Sequence, residues 1–178
     1  MEKRMLSVKT FAAIGIGSVL MFVLMRFVAV PTGVPNTNLN LGIAILAVFA
    51  AIFGPVAGFL IGFIGHTLTD LTWGGVWWSW VLASAIFGLI IGACRNWFKI
   101  EEGKFGVREA LMFNGVQVAV NVVVWVFIAR TLDLLIYREP FGKVSLQGFV
   151  AAGFNILVVM VLGTALIIGY SKTMGKAK

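Results

Sequence analysis

The chain has 178 residues, of which 60% are hydrophobic and only 12% charged, against about 25% charged in an ordinary soluble domain. Lys and Arg number 14 against 7 Asp and Glu, a net charge of +7. That excess does not indicate a nucleic-acid binder, because the basic residues sit between apolar runs too long for a soluble domain; they read as topology signals and headgroup contacts.

The length suits one domain. Cys94 is the only cysteine, which excludes an internal disulfide and a thiolate metal site. The basic start, MEKRMLSVKT, leads into an apolar run without a small-x-small cleavage site. It reads as a retained first span and not as a removed signal peptide.

Residues 7–30 can cross about 30 Å of hydrocarbon. In that run Ala13 and Gly17 form a small-xxx-small pair, which lets a second helix approach closely, from this chain or from another membrane protein. Arg26, near the far end, is costly at membrane depth unless it snorkels, pairs or meets a ligand. The stretch VPTGVPNTNLN follows, with two prolines, a glycine, Thr32 and the amides Asn36, Asn38 and Asn40. It cannot continue a helix. It reads as a solvated connection or as a lid, since amides both donate and accept hydrogen bonds and loops over a site often carry function.

Residues 41–69 carry no charge and are interrupted by Gly54-Pro55. Charge decides whether this is one span or two. With a break, six spans result and both termini share a side with Lys3, Arg4, Lys9, Arg95, Lys99, Lys104, Arg108, Lys172, Lys176 and Lys178, ten of the fourteen cations. The other side then holds Arg26, Arg130, Arg138 and Lys143. Without the break there are five spans and a split of six against eight. The positive-inside rule selects six spans with both termini cytoplasmic. The expected architecture is therefore an all-α integral membrane domain with spans at 7–30, 39–53, 55–70, 76–93, 109–129 and 146–170. Spans two and three, at roughly 15 residues, are short and would tilt little or thin the bilayer.

The stretch HTLTDLTWGGVWWSW, residues 66–80, holds the only histidine, an aspartate, a Gly-Gly break and four of the six tryptophans. His66 and Asp70 are four apart and share a helix face. Three readings of His66 stand: a hydrogen-bonded core residue, a proton relay with Asp70, or a ligand contact. No further metal ligands lie near it in sequence. Indoles gather at membrane interfaces in any membrane protein, but Trp73, Trp77, Trp78 and Trp80 within eight residues exceed what a belt requires. They offer flat surfaces for a ligand.

The fifth span carries Asn114, Gln117, Asn121 and Trp125 at spacings of three, four and four, hence on one helical face. Such a stripe avoids lipid; it makes interhelical hydrogen bonds or lines a cavity, in which case Asn121 and Trp125 are nearest the mouth. Residues 130–145, with Asp133, Arg138, Glu139 and Pro140, read as a polar outer loop. The sixth span has Asn155 in its outer third.

No G-x-x-x-x-G-K-S/T, H-E-x-x-H or G-x-S-x-G occurs, so no ATP-binding loop or familiar hydrolase motif is present. One histidine and one distant cysteine make a poor nucleophile and base. A self-sufficient secondary transporter usually has repeated halves and several ionisable groups in the membrane, and here only Arg26, His66 and Asp70 qualify.

Two stretches, PTGVPNTNLNLG (31–42) and FGPVAGFLIGFIGHTLTD (53–70), resemble the S components of energy-coupling factor (ECF) vitamin transporters, in particular a subfamily labelled riboflavin-type. The resemblance covers nearly the whole chain. It implies a vitamin captured from outside beneath the loop between spans one and two. It also implies a transmembrane T component and two ABC-type ATPases as partners, with ATP and Mg bound on those partners and no cofactor in this chain. The family's Ala-x-x-x-Ala, which packs against the T component, stands here as Ala13-x-x-x-Gly17. The expected ligand contacts are Arg26, Thr32, Asn36, Asn38, Asn40, His66, Asp70, Trp73, Trp77, Trp78, Asn121 and Trp125. Cobalamin is the first expectation for the vitamin, riboflavin the second, pyridoxine or a hydroxymethylpyrimidine precursor the third. The location implied is a bacterial cytoplasmic membrane, crossed several times. Two readings of another class remain: a membrane-embedded enzyme or chaperone using His66 and Asp70, and a ligand-free assembly subunit whose tryptophans are only an interfacial belt.

Overall fold

The computed structural model describes residues 7–176. Lys3, Arg4 and Lys178, used in the charge argument, lie outside the described residues. Helix α1 (Val8–Phe27) starts at Ser7, whose hydroxyl accepts from the Thr10 N–H, satisfying one of the free donors of the first turn. After Phe27 the chain folds into a short antiparallel hairpin, β1 (Val30–Pro31) with β2 (Asn38–Leu39), in register Val30 with Leu39 and Pro31 with Asn38. The first span is therefore shorter than the apolar run, because the prolines take residues 28–41 out of helix.

Helix α2 (Gly42–Phe53) and helix α3 (Pro55–Trp73) are separated by Gly54 alone. Gly54 has φ +94, a conformation glycine adopts freely, and Pro55 starts the next helix with its fixed φ at a position that needs no N–H donor. Gly74, at φ +106, ends α3. Helix α4 (Trp78–Ala93) is followed by the short α5 (Arg95–Phe98). Two long helices complete the chain, α6 (Val107–Tyr137) and α7 (Phe141–Lys176).

The stretch 130–145 is not the polar loop that its composition suggests. Helix α6 runs through Arg130 and Asp133 to Tyr137, and only Arg138–Pro140 separates it from α7. The helix continues through Arg130 and Asp133, whose side chains are taken up by the bundle. Asp133 is buried on hydrogen-bond donors, and Arg130 lies over the rings of Phe127 and Phe141 at 5.6 and 5.2 Å. Helix α6 also widens into π turns over Val122–Ala129 and Asp133–Tyr137, as α7 does over Val159–Gly163.

Helices α1, α6 and α7 are long and apolar enough to cross a membrane, while α2 and α4 are shorter apolar helices. At 1.5 Å per residue, the 12 residues of α2 fall well short of a bilayer. The six longer helices alternate in direction. The α2–α3 turn meets the end of α4, where Arg95 lies against Gly54, and Gly103 meets Gly175 near the end of α7. That end carries Arg95, Lys99, Lys104, Arg108, Lys172 and Lys176; the opposite end carries Arg26, Arg130, Arg138 and Lys143.

The tightest packing joins α3 to α4. Gly54, Gly58 and Gly62 recur every fourth residue, as do Ser84, Gly88 and Gly92 opposite them. A Cβ on Gly92 would meet Gly54, one on Gly58 would meet Gly88, and one on Gly62 would meet Ser84, in each case at the backbone. Small residues at this spacing bring helix backbones into contact in a membrane, where apolar side chains gain little by leaving lipid.

Ala13 and Gly17, expected at a partner interface, face inward. Both are buried, and a Cβ on Gly17 would lie 2.7 Å from Ile61 Cδ1 and 2.9 Å from Phe49 Cδ1. The small pair of α1 packs on α2 and α3 of its own chain, so this face is already covered.

Candidate functional site

At the end of the bundle that carries the hairpin lies a cavity of about 530 Å³, within the range that holds a small organic ligand. Its floor is apolar: Met21 and Met25 of α1, Ile43 of α2 and Ala151 of α7. Its walls hold four indoles, Trp73, Trp77, Trp80 and Trp125. Polar groups come from the hairpin (Asn36, Asn38, Asn40), from α3 (His66, Thr69, Asp70) and from α7 (Lys143, Gln147, Asn155).

The hairpin is held in place over this space. Thr32 Oγ1 donates to the Thr37 carbonyl at 2.5 Å and accepts from the Val34 N–H at 3.3 Å, which closes the turn on itself. Asn36 adopts the left-handed conformation, φ +57, which asparagine tolerates better than most residues. Gln147 Nε2 donates to the Pro35 carbonyl at 2.8 Å, tying the loop to α7.

Close α3–α4 packing sets His66 against α4. His66 Nδ1 and Ser84 Oγ are 2.6 Å apart, and His66 Nε2 lies 3.6 Å from Asp70 Oδ1, too far for a hydrogen bond. Asp70 Oδ2 accepts the Trp77 backbone N–H at 2.9 Å. A serine, a histidine and an aspartate in a row invite a hydrolase reading. Ser84 is only 1% exposed and sits within α4, where the backbone N–H groups that an oxyanion needs are used by the helix. No three His, Cys, Asp or Glu side chains among the described residues gather to hold a metal ion.

Two of the four wall indoles are fixed by Asp133. Its carboxylate accepts the indole N–H of Trp77 at 2.7 Å and of Trp80 at 2.9 Å, and the Ser79 hydroxyl as well. Tyr137, one helical turn on, stacks on Trp77 at 4.1 Å between centroids and accepts the Trp78 backbone N–H at 2.9 Å. Trp80 in turn packs on Trp125 at 5.2 Å.

Among the residues expected to contact ligand, Asn36, Asn38, Asn40, His66, Asp70, Trp73, Trp77 and Trp125 line the cavity; Arg26, Thr32, Trp78 and Asn121 do not. Arg26 lies over the Trp73 ring at 4.5 Å. Thr32 braces the hairpin from within. Trp78 points away and stacks on Phe63 at 6.1 Å. Asn121 belongs to a buried amide chain. Its Nδ2 donates to Gln117 Oε1 at 2.9 Å, Gln117 Nε2 reaches Asn114 Oδ1 and the Ile156 carbonyl at 3.3 Å, and Asn114 Nδ2 donates to Thr164 Oγ1 at 3.0 Å. The stripe thus joins α6 to α7. Trp125 leaves it because the π turns that begin at Val122 advance each residue by a smaller angle than an α-helix does.

Sequence reasoning offered Trp80 with its cluster as a ligand surface but left it out of the individual contacts, and it missed Gln147 and Asp133. For Asp133 the available signal, an acidic residue among polar neighbours, pointed to solvent.

The fold and the cavity define a class: an apolar helical protein with a ligand-sized chamber open at one end of its bundle. Residues 5–172 match the profile of the ECF-type riboflavin transporter S component, and the chain belongs to this family. It is also 51% identical over 174 residues to a UPF0397 protein of Clostridium perfringens (strain SM101 / Type A), covering 97% of this chain and 94% of that one. A UPF0397 protein of Enterococcus faecalis is 47% identical over 98% of this chain and 96% of its own. One from Lacticaseibacillus casei is 44% identical over 97% and 93%.

Proposed function

We propose that this chain is the substrate-binding membrane subunit of an ECF-type importer. It captures a vitamin or cofactor precursor in the cavity beneath the asparagine hairpin and releases it on the other side when partner ATPases drive it. The observation that carries this reading is the chamber of about 530 Å³ walled by four indoles in a chain of the S-component family. The partners are a transmembrane T component and two ATPases, where ATP and Mg are bound. The chain crosses the membrane six times with both termini cytoplasmic. In support, the end opposite the cavity carries most of the described cations, as cytoplasmic ends do. The cavity then faces outward.

The ligand is a flat heterocycle of riboflavin size or smaller. Four indole faces suit such a ring. Cobalamin, a corrin with a nucleotide loop, is larger than the drug-sized ligands that chambers of this volume enclose and would extend through the open mouth. Titrating the tryptophan fluorescence of the purified chain with riboflavin, thiamine, pyridoxine, pyridoxamine and cobalamin tests the reading. Strong quenching is expected from at least one of them. If none binds with a dissociation constant below roughly 10 μM, about −7 kcal/mol, the proposal fails.

A further inference from the structure

The charges that face the cavity do not balance. Lys143 is neutralised, its Nζ 2.8 Å from a Glu139 carboxylate oxygen. His66 is held by Ser84 at 2.6 Å through Nδ1, and its Nε2, 3.6 Å from Asp70 Oδ1, is the one titratable nitrogen beside that carboxylate and too far for a hydrogen bond. Asp70 lines the cavity with its side chain 15% exposed, and no Lys or Arg among the described residues lies within 4.0 Å of it. Its only hydrogen bond is the backbone N–H of Trp77. Behind the wall, Asp133 is a second carboxylate without a cation, bonded to the N–H groups of Trp77 and Trp80. Of the three arginines at this end, Arg26 lies on Trp73 and Phe27 and Arg130 on Phe127 and Phe141, while Arg138 stands in the α6–α7 connection; none of the three lines the cavity.

An ionised carboxylate in apolar surroundings is costly unless a positive charge compensates it. The walls here are also those that attract a cation, since the face of an indole carries negative potential. Donation of the Trp77 and Trp80 N–H groups to an anion makes those rings richer in electrons. Carboxylate and indoles face the same space, and the missing countercharge is the ligand's to supply.

We infer that the ligand of this cavity is a flat heterocycle bearing a positively charged nitrogen, an aminomethyl group or a quaternised ring, and that Asp70 selects it. The inference rests on the reading of the chamber as the vitamin site and names the chemical class within it. Riboflavin carries no positive charge and lacks the feature that Asp70 recognises.

Compounds matched in ring size test this on the unmodified protein. Pyridoxamine and pyridoxine share one ring and differ by an aminomethyl in place of a hydroxymethyl group; thiamine and riboflavin extend the comparison to larger ligands. Dissociation constants come from tryptophan quenching and are checked by calorimetry. Pyridoxamine is expected to bind at least about tenfold more tightly than pyridoxine, as a single well-placed charge pair provides, and its advantage to shrink as salt is raised. In Asp70→Asn the preference should disappear, while Asp70→Glu should keep it. Equal or tighter binding of riboflavin and pyridoxine overturns the inference and leaves the vitamin reading standing. A preference that survives in Asp70→Asn also overturns it. Silence from every compound overturns the vitamin reading and the inference with it.

Discussion

Asp133 Oδ1 accepts the indole N–H of Trp77 at 2.7 Å across 56 positions of sequence. The contact closes the α3–α4 connection onto α6. With the Trp80 indole and the Ser79 hydroxyl it gives one buried carboxylate three donors, so that the tryptophans of the cavity wall are set by a residue that does not itself line the cavity.

Replacing Asp133 by Ala removes the acceptor and leaves those donors unsatisfied, at about 1–3 kcal/mol for each buried one. The thermal midpoint of the purified chain in detergent should fall clearly. Asp133→Asn, which retains one acceptor oxygen, should lose less. Unchanged melting of Asp133→Ala would show that the carboxylate does not hold the wall.

Gly58 and Gly88 meet backbone to backbone. Gly58→Ala and Gly88→Ala should each destabilise the fold by about 1–3 kcal/mol or more, because the helices must separate to admit a methyl group. Gly153→Ala, where nothing lies within 4 Å of the added carbon, should be neutral or stabilising by up to about 1 kcal/mol through helix propensity. Comparing the three melting curves is sufficient.

Asn121 and Trp125 should separate stability from binding. Asn121→Leu breaks the amide chain at a cost on the order of 0.6 kcal/mol for a membrane hydrogen bond, and ligand affinity should stay the same. Trp125→Leu removes an indole from the cavity wall and should weaken the ligand roughly tenfold, as loss of an aromatic contact worth about 1.4 kcal/mol would. If Asn121→Leu lowers affinity as much as Trp125→Leu does, the assignment of the stripe to packing is wrong.

Gln147 holds the hairpin by its bond to the Pro35 carbonyl. In Gln147→Leu the amides of residues 33–39 should exchange hydrogen faster. Ligand affinity should fall by about two- to tenfold, the worth of one net hydrogen bond of 0.5–1.5 kcal/mol. Exchange mass spectrometry reads the first effect and fluorescence titration the second.

Much of this protein is written locally. Long apolar runs between charges require helices, Gly54-Pro55 breaks one into two, and the prolines of 31–35 take the asparagine stretch out of helix, all because backbone constraint acts within a few residues. The α3–α4 seam is also legible, since Gly54, Gly58 and Gly62 and then Ser84, Gly88 and Gly92 repeat every fourth position. Only the packed structure decided which face each polar residue takes. Asp133 reads as a loop residue until indoles from a distant turn reach it. Asn121 reads equally as a packing residue and as a cavity residue until Gln117 and α7 claim its stripe and the π turn carries Trp125 away from it. The reason is that a buried polar group costs little or much according to the partner it meets, and those partners come from elements far away in sequence.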